Sequence, residues 1–395
     1  MFSTPEILSI AETLLSERFG GAQKLLEHQE LSGSGHAKVI RAKVASSPLL
    51  QHRSVILKYI PESDDFLDDA SLIREVVAYQ FTNSLAEDIR PGPVLLAHDI
   101  KRRILVITDS GDGDTFDSLL ATKEVELRAH ILRNLGRALG KMHAGTAGRE
   151  KDFHILLTRM LRAHPDTSEL QELRDHSLVE SIRIGAELLH HVGLKVPATV
   201  TELSEQAQHR LDSGQHRAFT PFDLSPDNII VAERTHFLDY EWAGFRDATF
   251  DVACVVAGFP QYVGSLPISD DEADLFIEAW MQEVRSLWPN VTNEERLHNR
   301  IVAALIGWAM AGVSLMCFGS LSNAVALEHE EDHVIHLLRA PSEGPFSAEE
   351  EIMRRDLYET FEALSRFAAR GTDNRMPEVA YFARSVADRL AEEPR

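Results

Sequence analysis

The densest run of side chains able to do chemistry is Asp223-Leu224-Ser225-Pro226-Asp227-Asn228-Ile229-Ile230-Val231, followed after Glu233-Arg234-Thr235 by His236-Phe237-Leu238-Asp239-Tyr240-Glu241. It reads as loop, strand, turn and strand, with an acid at each end. Such a hairpin folds back on itself, so Asp223, Asn228 and Asp239 can converge although they are far apart along the chain. Mg2+ prefers carboxylate and amide oxygens together with phosphate, and an attacking hydroxyl needs a carboxylate to orient it and take its proton. The residue types therefore suit phosphoryl transfer. Taken singly, Asp227 and Asn228 also suit a turn, and Asp239 a solvated strand end. The whole string is what carries the signal.

Two further charges sit on apolar faces. In the strand-like run Val55 to Ile60, alternate residues share a face, which puts Lys58 with Ile56 and Ile60. In the helical pattern that follows, Glu75 shares a stripe with Leu72 and Tyr79. A lysine on an apolar strand face needs a partner or must snorkel, and Glu75 is the natural mate. A structural salt bridge is the plainer account of the same pair. Upstream, Leu31-Ser32-Gly33-Ser34-Gly35-His36 offers backbone N–H groups that Gly33 and Gly35 leave unobstructed for phosphate, although a simple hairpin turn has the same composition.

The string Asp223 to Val231, together with Asp239-Tyr240-Glu241-Trp242, resembles the catalytic loop and metal-binding segment of the aminoglycoside phosphotransferase family, relatives of the protein kinases. Gly244, Asp247, Asp251 and Ala253 extend the likeness. The resemblance implies that Asp223 is the catalytic base and that Asn228 and Asp239 are the Mg2+ ligands. It makes Glu241 either a further metal ligand or an acid that supports the ligands, and Asp251 a structural brace for the catalytic loop. It equates Lys58 and Glu75 with the strand lysine and helix glutamate that hold the ATP phosphates. It also places an inter-lobe hinge at Leu105 to Gly111, where backbone groups of Asp109, Ser110 and Gly111 would meet the adenine edge. The implied cofactors are ATP and Mg2+, and the implied acceptor is a hydroxyl of an aminoglycoside, amino sugar, sugar or amino alcohol.

One departure stands next to the presumed base. The family usually carries His-Gly before the catalytic aspartate, and this chain has Pro221-Phe222. That change motivates an alternative, a kinase-fold protein that binds nucleotide with weakened turnover. A competitor of another class is His329-Glu330-Glu331-Asp332-His333, with His336 nearby, which fits the zincin spacing of two histidines one turn apart. Its dense charge reads equally as a solvated helix face. The acidic group Asp270, Asp271, Glu272, Asp274 and Glu278 is open to the same reading, or to contact with a cationic acceptor.

The elements that must position these residues follow from periodicity. Short β-branched runs from about Lys24 to Gly113 predict a small five-stranded sheet, interrupted by a helix over Asp69 to Leu85. Beyond Gly113, long helical segments such as 125–143 and 168–191 take over, with a strand island near Ile229 to Leu238. The expected class is α+β, a protein-kinase-like two-lobed fold with a nucleotide-binding lobe at 1–112 and a helical lobe at 113–395 that carries the catalytic loop and acceptor site. Ser3-Thr4-Pro5-Glu6 predicts a capped amphipathic helix ending at Gly20-Gly21, without the basic start of a signal peptide.

Composition narrows the classes. The 395 residues suffice for a large core and a cleft, with 44% hydrophobic and 26% charged residues. A net charge of −22 repels nucleic acid and anionic membranes, so neither is an expected partner. The two cysteines, Cys254 and Cys317, lie in apolar surroundings and fit buried thiols in a reducing, cytoplasmic setting. Ile301 to Leu321 carries no charge and is long enough to span a bilayer, but its small residues suit a buried core helix.

Overall fold

A computed structural model of the chain describes residues 2–31, 37–63, 65–262, 267–320, 323 and 335–391. The chain divides into two compact units, one formed by Met1–Phe116, Lys151–Gln171 and Asp227–Gly244, the other by Asp117–Glu150, Glu172–Pro226 and Phe245–Arg395.

The first unit is built on an antiparallel five-stranded sheet of β1 (Leu25–Leu31), β2 (Lys38–Val44), β3 (Ser54–Tyr59), β4 (Leu95–Asp99) and β5 (Ile104–Thr108), in the order β1-β2-β3-β5-β4. Alternation in β3 sends Val55, Leu57 and Tyr59 into the core and leaves Ile56 and Lys58 on the other face. Register fixes Lys58 opposite Val39 on β2 and Leu105 on β5. Helix α1 (Thr4–Phe19) covers the core face with Ile7, Ala11 and Leu15 against Ile40, Val55, Leu57 and Val106. Its start is fixed by Ser3, whose backbone N–H donates to the Glu6 carboxylate at 2.8 Å, and Gly20 at φ 80° ends it. Helix α2 (Asp68–Asn83) carries Leu72, Val76 and Tyr79 on its buried side.

Within the same unit, β6 (Asp114–Thr115) pairs with β8 (Ile229–Val231), which pairs with β9 (Thr235–Phe237) in the register Ile229↔Phe237 and Val231↔Thr235. This is the strand, turn and strand expected of the motif, with Asn228 just before β8 and Asp239 just after β9.

Helix α3 (Phe116–Leu120) leads into the second unit, which is mainly helical, while α5 (Glu150–Ala163) falls almost wholly in the first; β7 (Arg217–Thr220) and β10 (Gly244–Asp247) form a two-stranded sheet. Helix α4 (Val125–Thr146) lies against α9 (Asp270–Val284), and the approach is close enough that a Cβ at Gly136 would stand 2.4 Å from the Phe276 carbonyl oxygen. Around them run α6 (Ser168–His191), α7 (Ala198–Asp212), α8 (Thr249–Val256) and α10 (Glu294–Phe318). The C-terminal pair is α11 (Ala348–Ala369) and α12 (Met376–Leu390). Helix α10 packs on α7, α8 and α11, and 72% of its most apolar window is buried. It is long and apolar enough to cross a membrane, yet its small residues serve packing inside the unit. Asn293 caps it by accepting the Arg296 N–H at 2.8 Å, and Gly319 at φ 75° closes it.

Candidate functional site

In the first unit, Lys58 Nζ lies 2.8 Å from Glu75 Oε1 and 2.8 Å from Asp239 Oδ1. The strand face of β3 and the stripe of α2 thus supply the expected pair, and the end of β9 adds the presumed metal aspartate to it. The side chains of Lys58 and Glu75 are only 12% and 1% exposed, so the charges interact in a partly dry setting. Burial alone lowers the Lys58 pKa, but Asp239, Glu75 and Glu241 more than offset it and hold the ammonium above its usual value. Burial pushes the Glu75 carboxyl up, while Lys58 pulls it back.

The backbone around Asp239 is held from three sides. Leu238 N–H donates to the Asn228 carbonyl at 2.8 Å, Phe237 N–H donates to the Pro91 carbonyl at 2.8 Å, and the Asp239 backbone N–H donates to the Tyr79 hydroxyl oxygen. Asp239 itself sits at φ 56°, a left-handed conformation that Asp tolerates better than bulkier residues. Tyr79 and Tyr240 rings pack at 4.7 Å beside it. Close packing beneath leaves no room for a side chain at position 92, where a Cβ would come within 2.4 Å of the Phe237 carbonyl oxygen. The structure therefore brings Lys58, Glu75 and Asp239 together, with Asn228 tied by its backbone to the residue before Asp239.

The presumed hinge is shaped by its own side chains. The Asp109 carboxylate accepts from Arg41 Nη2 at 3.0 Å, from Ser54 Oγ at 2.7 Å and from the Gly111 N–H at 3.0 Å. Ser110 Oγ lies 2.8 Å from His236 Nδ1, joining the hinge to β9. Gly111 adopts φ 86°, which suits glycine. The Gly33 and Gly35 expected to cover phosphate lie outside the described residues.

The second unit holds Asp223. Its Oδ1 accepts the Ser225 N–H at 3.0 Å, a local turn that orients the carboxylate. Beneath it, Asp251 is fully buried and takes hydrogen bonds from the Phe222 backbone N–H and from His143 Nε2 at 3.1 Å. Trp280 Nε1 donates to His143 Nδ1 at 2.9 Å, and since indole only donates, the ring proton of His143 belongs on Nε2. Burial raises the Asp251 carboxyl, and His143 pulls it back. Sequence reasoning missed His143, although its place on the apolar stripe of α4 with Leu132, Leu135 and Leu139 is a signal that could have found it. Cys254 accepts the Leu224 N–H and is pushed well above the usual thiol range by burial. Cys254 is buried as expected, and Cys317 is half-buried.

The other motifs resolve differently. His329 and His333 lie outside the described residues, and His336 is exposed. Among the described residues, no group of three His, Cys, Asp or Glu could hold a metal ion. The acidic group at the start of α9 is largely engaged: Glu272 closes a capping box with Ser269 and pairs with Arg128 at 2.6 Å, Asp274 pairs with Arg370, and Asp270 pairs with Arg366. These partners explain it as helix capping and ion pairing.

Among solved structures, choline kinase from Cryptosporidium parvum is 10% identical, with 96% of this chain and 99% of that one covered at a TM-score of 0.49. The ADP-bound aminoglycoside phosphotransferase APH(2'')-Ib is 12% identical, covering 92% and 99% at 0.43. A putative fructosamine-3-kinase from Thermobifida fusca is 13% identical, covering 81% and 95% at 0.43. No curated protein matches the chain. The sequence matches the phosphotransferase enzyme family, APH, over residues 52–288, a span running from the start of β3 through the catalytic-loop motif into the helices beyond it. With more than half of its length matched, this chain of kinase-like α+β fold belongs to the phosphotransferase enzyme family and is a small-molecule phosphotransferase that acts on hydroxyl groups.

Proposed function

We propose that the chain is an ATP-dependent kinase whose acceptor is a hydroxyl of a small amine-bearing molecule such as an aminoglycoside, amino sugar or amino alcohol. The observation that carries this reading is Lys58 Nζ held at 2.8 Å from both Glu75 and Asp239. A buried ammonium anchored by a helix glutamate and set beside an acid is the arrangement that phosphoryl transfer requires for binding nucleotide phosphates. Asn228 and Asp239 offer amide and carboxylate oxygens, the hard donors that Mg2+ takes, so their chemistry fits that ion. When bound, Mg2+ neutralises the charge of the phosphates.

In this reading Asp223 orients the acceptor hydroxyl and receives its proton as the hydroxyl oxygen forms a bond to the γ-phosphorus. The bond between that phosphorus and the β,γ-bridging oxygen breaks, and ADP leaves with the electron pair. Lys58 offsets the charge on the phosphate oxygens, and backbone groups of Asp109 to Gly111 receive the adenine. Most of the acceleration comes from positioning and fixed charge. The braced Asp251–His143 pair supports a competent loop despite Pro221-Phe222, and so favours the active enzyme over a nucleotide-binding protein without turnover.

The test has two stages. Thermal unfolding is measured with and without Mg-ATP, because a ligand of the native state raises the melting temperature. ADP formation is then followed against choline, gentamicin and simple amino sugars. A nucleotide-dependent rise with one accelerating acceptor establishes the kinase, and no rise with ATP counts decisively against the nucleotide site.

A further inference from the structure

Phe222 immediately precedes Asp223 and adopts φ 69°. In that left-handed region the Cβ of an L residue crowds its own backbone, and glycine occupies it without strain. A loop that needed only the turn would be served by glycine. A large ring kept there has to make up for the strain through what it touches.

Phe222 is 9% exposed, and its contacts are specific. Its ring stacks on Trp308 with centroids 4.8 Å apart and planes 24° from parallel. The Arg246 guanidinium carbon stands 4.8 Å from the ring centroid, within cation–π range. Trp308 is itself fixed, since its Nε1 donates to the Phe250 carbonyl at 2.8 Å from within α10. The Phe222 backbone N–H is held by Asp251, and the next carboxylate is oriented by Ser225. One dipeptide is therefore pinned through a backbone N–H, an aromatic ring and a carboxylate.

We infer that the Phe222 ring, held by Trp308 and Arg246, is the positioning device that presents the Asp223 carboxylate for proton transfer. This rests on the reading of Asp223 as the base. Phe222 touches no reacting atom in this scheme and acts through its neighbour. The residues proposed to hold nucleotide belong to the other unit, so loss of the ring is expected to slow the chemical step and leave nucleotide affinity alone.

The experiment measures ADP formation from Mg-ATP with water as acceptor. For Phe222→Gly, which keeps the backbone comfortable and removes the ring, the expected result is a kcat at least 10-fold lower with a KM for ATP within twofold. Phe222→Tyr keeps the ring and is expected within threefold of the parent. Trp308→Leu should follow Phe222→Gly, and Trp308→Phe should recover most of the rate, which keeps the proposal testable should one variant fail to fold. A Phe222→Gly or Trp308→Leu enzyme as fast as the parent overturns it, as does a fall in kcat matched by an equal rise in KM. Asp223→Asn separates the two levels: if it leaves the rate unchanged the base assignment fails, whereas an inactive Asp223→Asn beside a normal Phe222→Gly removes only the positioning role.

Discussion

Lys58 Nζ and Asp239 Oδ1 lie 2.8 Å apart although 181 residues separate them in the chain. The ammonium is shared with Glu75, so the residue proposed to hold phosphate also contacts the residue proposed to hold metal.

Replacement of Lys58 by Met is therefore expected to lower kcat/KM for ATP by about 10²–10³-fold, the usual scale for losing one fixed charge at a developing anion. The two carboxylates it bridges would then repel each other, so some stability is lost as well. Steady-state ADP formation checks the first effect, and a rate within threefold of the parent removes Lys58 from the site.

Asp223→Asn keeps the shape of the side chain and the hydrogen bond from Ser225, but cannot take a proton. Turnover is expected to fall by about 10²–10⁴-fold, the range for a general base, with melting temperature nearly unchanged. Asp239→Asn should also lower turnover steeply and, unlike Asp223→Asn, should raise the Mg2+ concentration needed for half-maximal rate.

How much of this was legible before folding depends on the range of the interaction. The faces of β3 and α2 follow from periods of 2 and 3.6, so Lys58 and Glu75 could be paired from local pattern alone, and the strand, turn and strand around Ile229 to Phe237 could be read from its turn residues. Periodicity says which face a side chain occupies, but nothing about what arrives there from a distant segment. Asp239 beside Lys58, and His143 beside Asp251 across 108 residues, are of that kind. Backbone sign was equally hidden: Pro221-Phe222 shows in the sequence only as a departure from the family's His-Gly, and the left-handed φ at Phe222 with its stack on Trp308 appears only in three dimensions. At Asp109 no local pattern signals that the side chain turns inward to tie Arg41, Ser54 and Gly111 together.

His143→Ala removes a buried partner of Asp251 and leaves the Trp280 N–H without an acceptor. Breaking a buried polar pair from one side costs about 3–5 kcal/mol. The double variant with Asp251→Asn is expected to be less destabilised than the sum of the two singles, because the second change no longer strands a charge. Urea denaturation of the four proteins measures the coupling, and strict additivity would separate the two residues energetically.

Gly136→Ala tests the approach of α4 to α9. The added methyl would meet the Phe276 carbonyl oxygen at 2.4 Å, closer than packing tolerates, and the helices must shift. A loss of about 1–3 kcal/mol is expected, the range for overpacking a tight contact. A variant as stable as the parent would mean the two helices can separate freely.

Asp356 on α11 provides a pH test. It is 7% exposed, its Oδ1 accepts the Gln261 N–H at 2.8 Å, and its buried Oδ2 has no hydrogen-bond partner among the described residues. Burial lifts its carboxyl from an ordinary 3.8 to about 7, with the Gln261 hydrogen bond opposing and Glu359 adding to the rise. The folded chain thus keeps a proton that the unfolded chain releases. Below about pH 4 both states hold it and its contribution to stability is whole; from there to about pH 7 each unit of pH removes about 1.4 kcal/mol; above that the loss is complete. Asp356→Asn cannot ionise and can still accept from Gln261. Relative to the parent it should gain stability steadily between pH 4 and 7 and hold that gain at pH 8. Urea midpoints for both proteins at pH 4, 6 and 8 read the difference, and a difference independent of pH would show that Asp356 titrates as an ordinary exposed carboxylate.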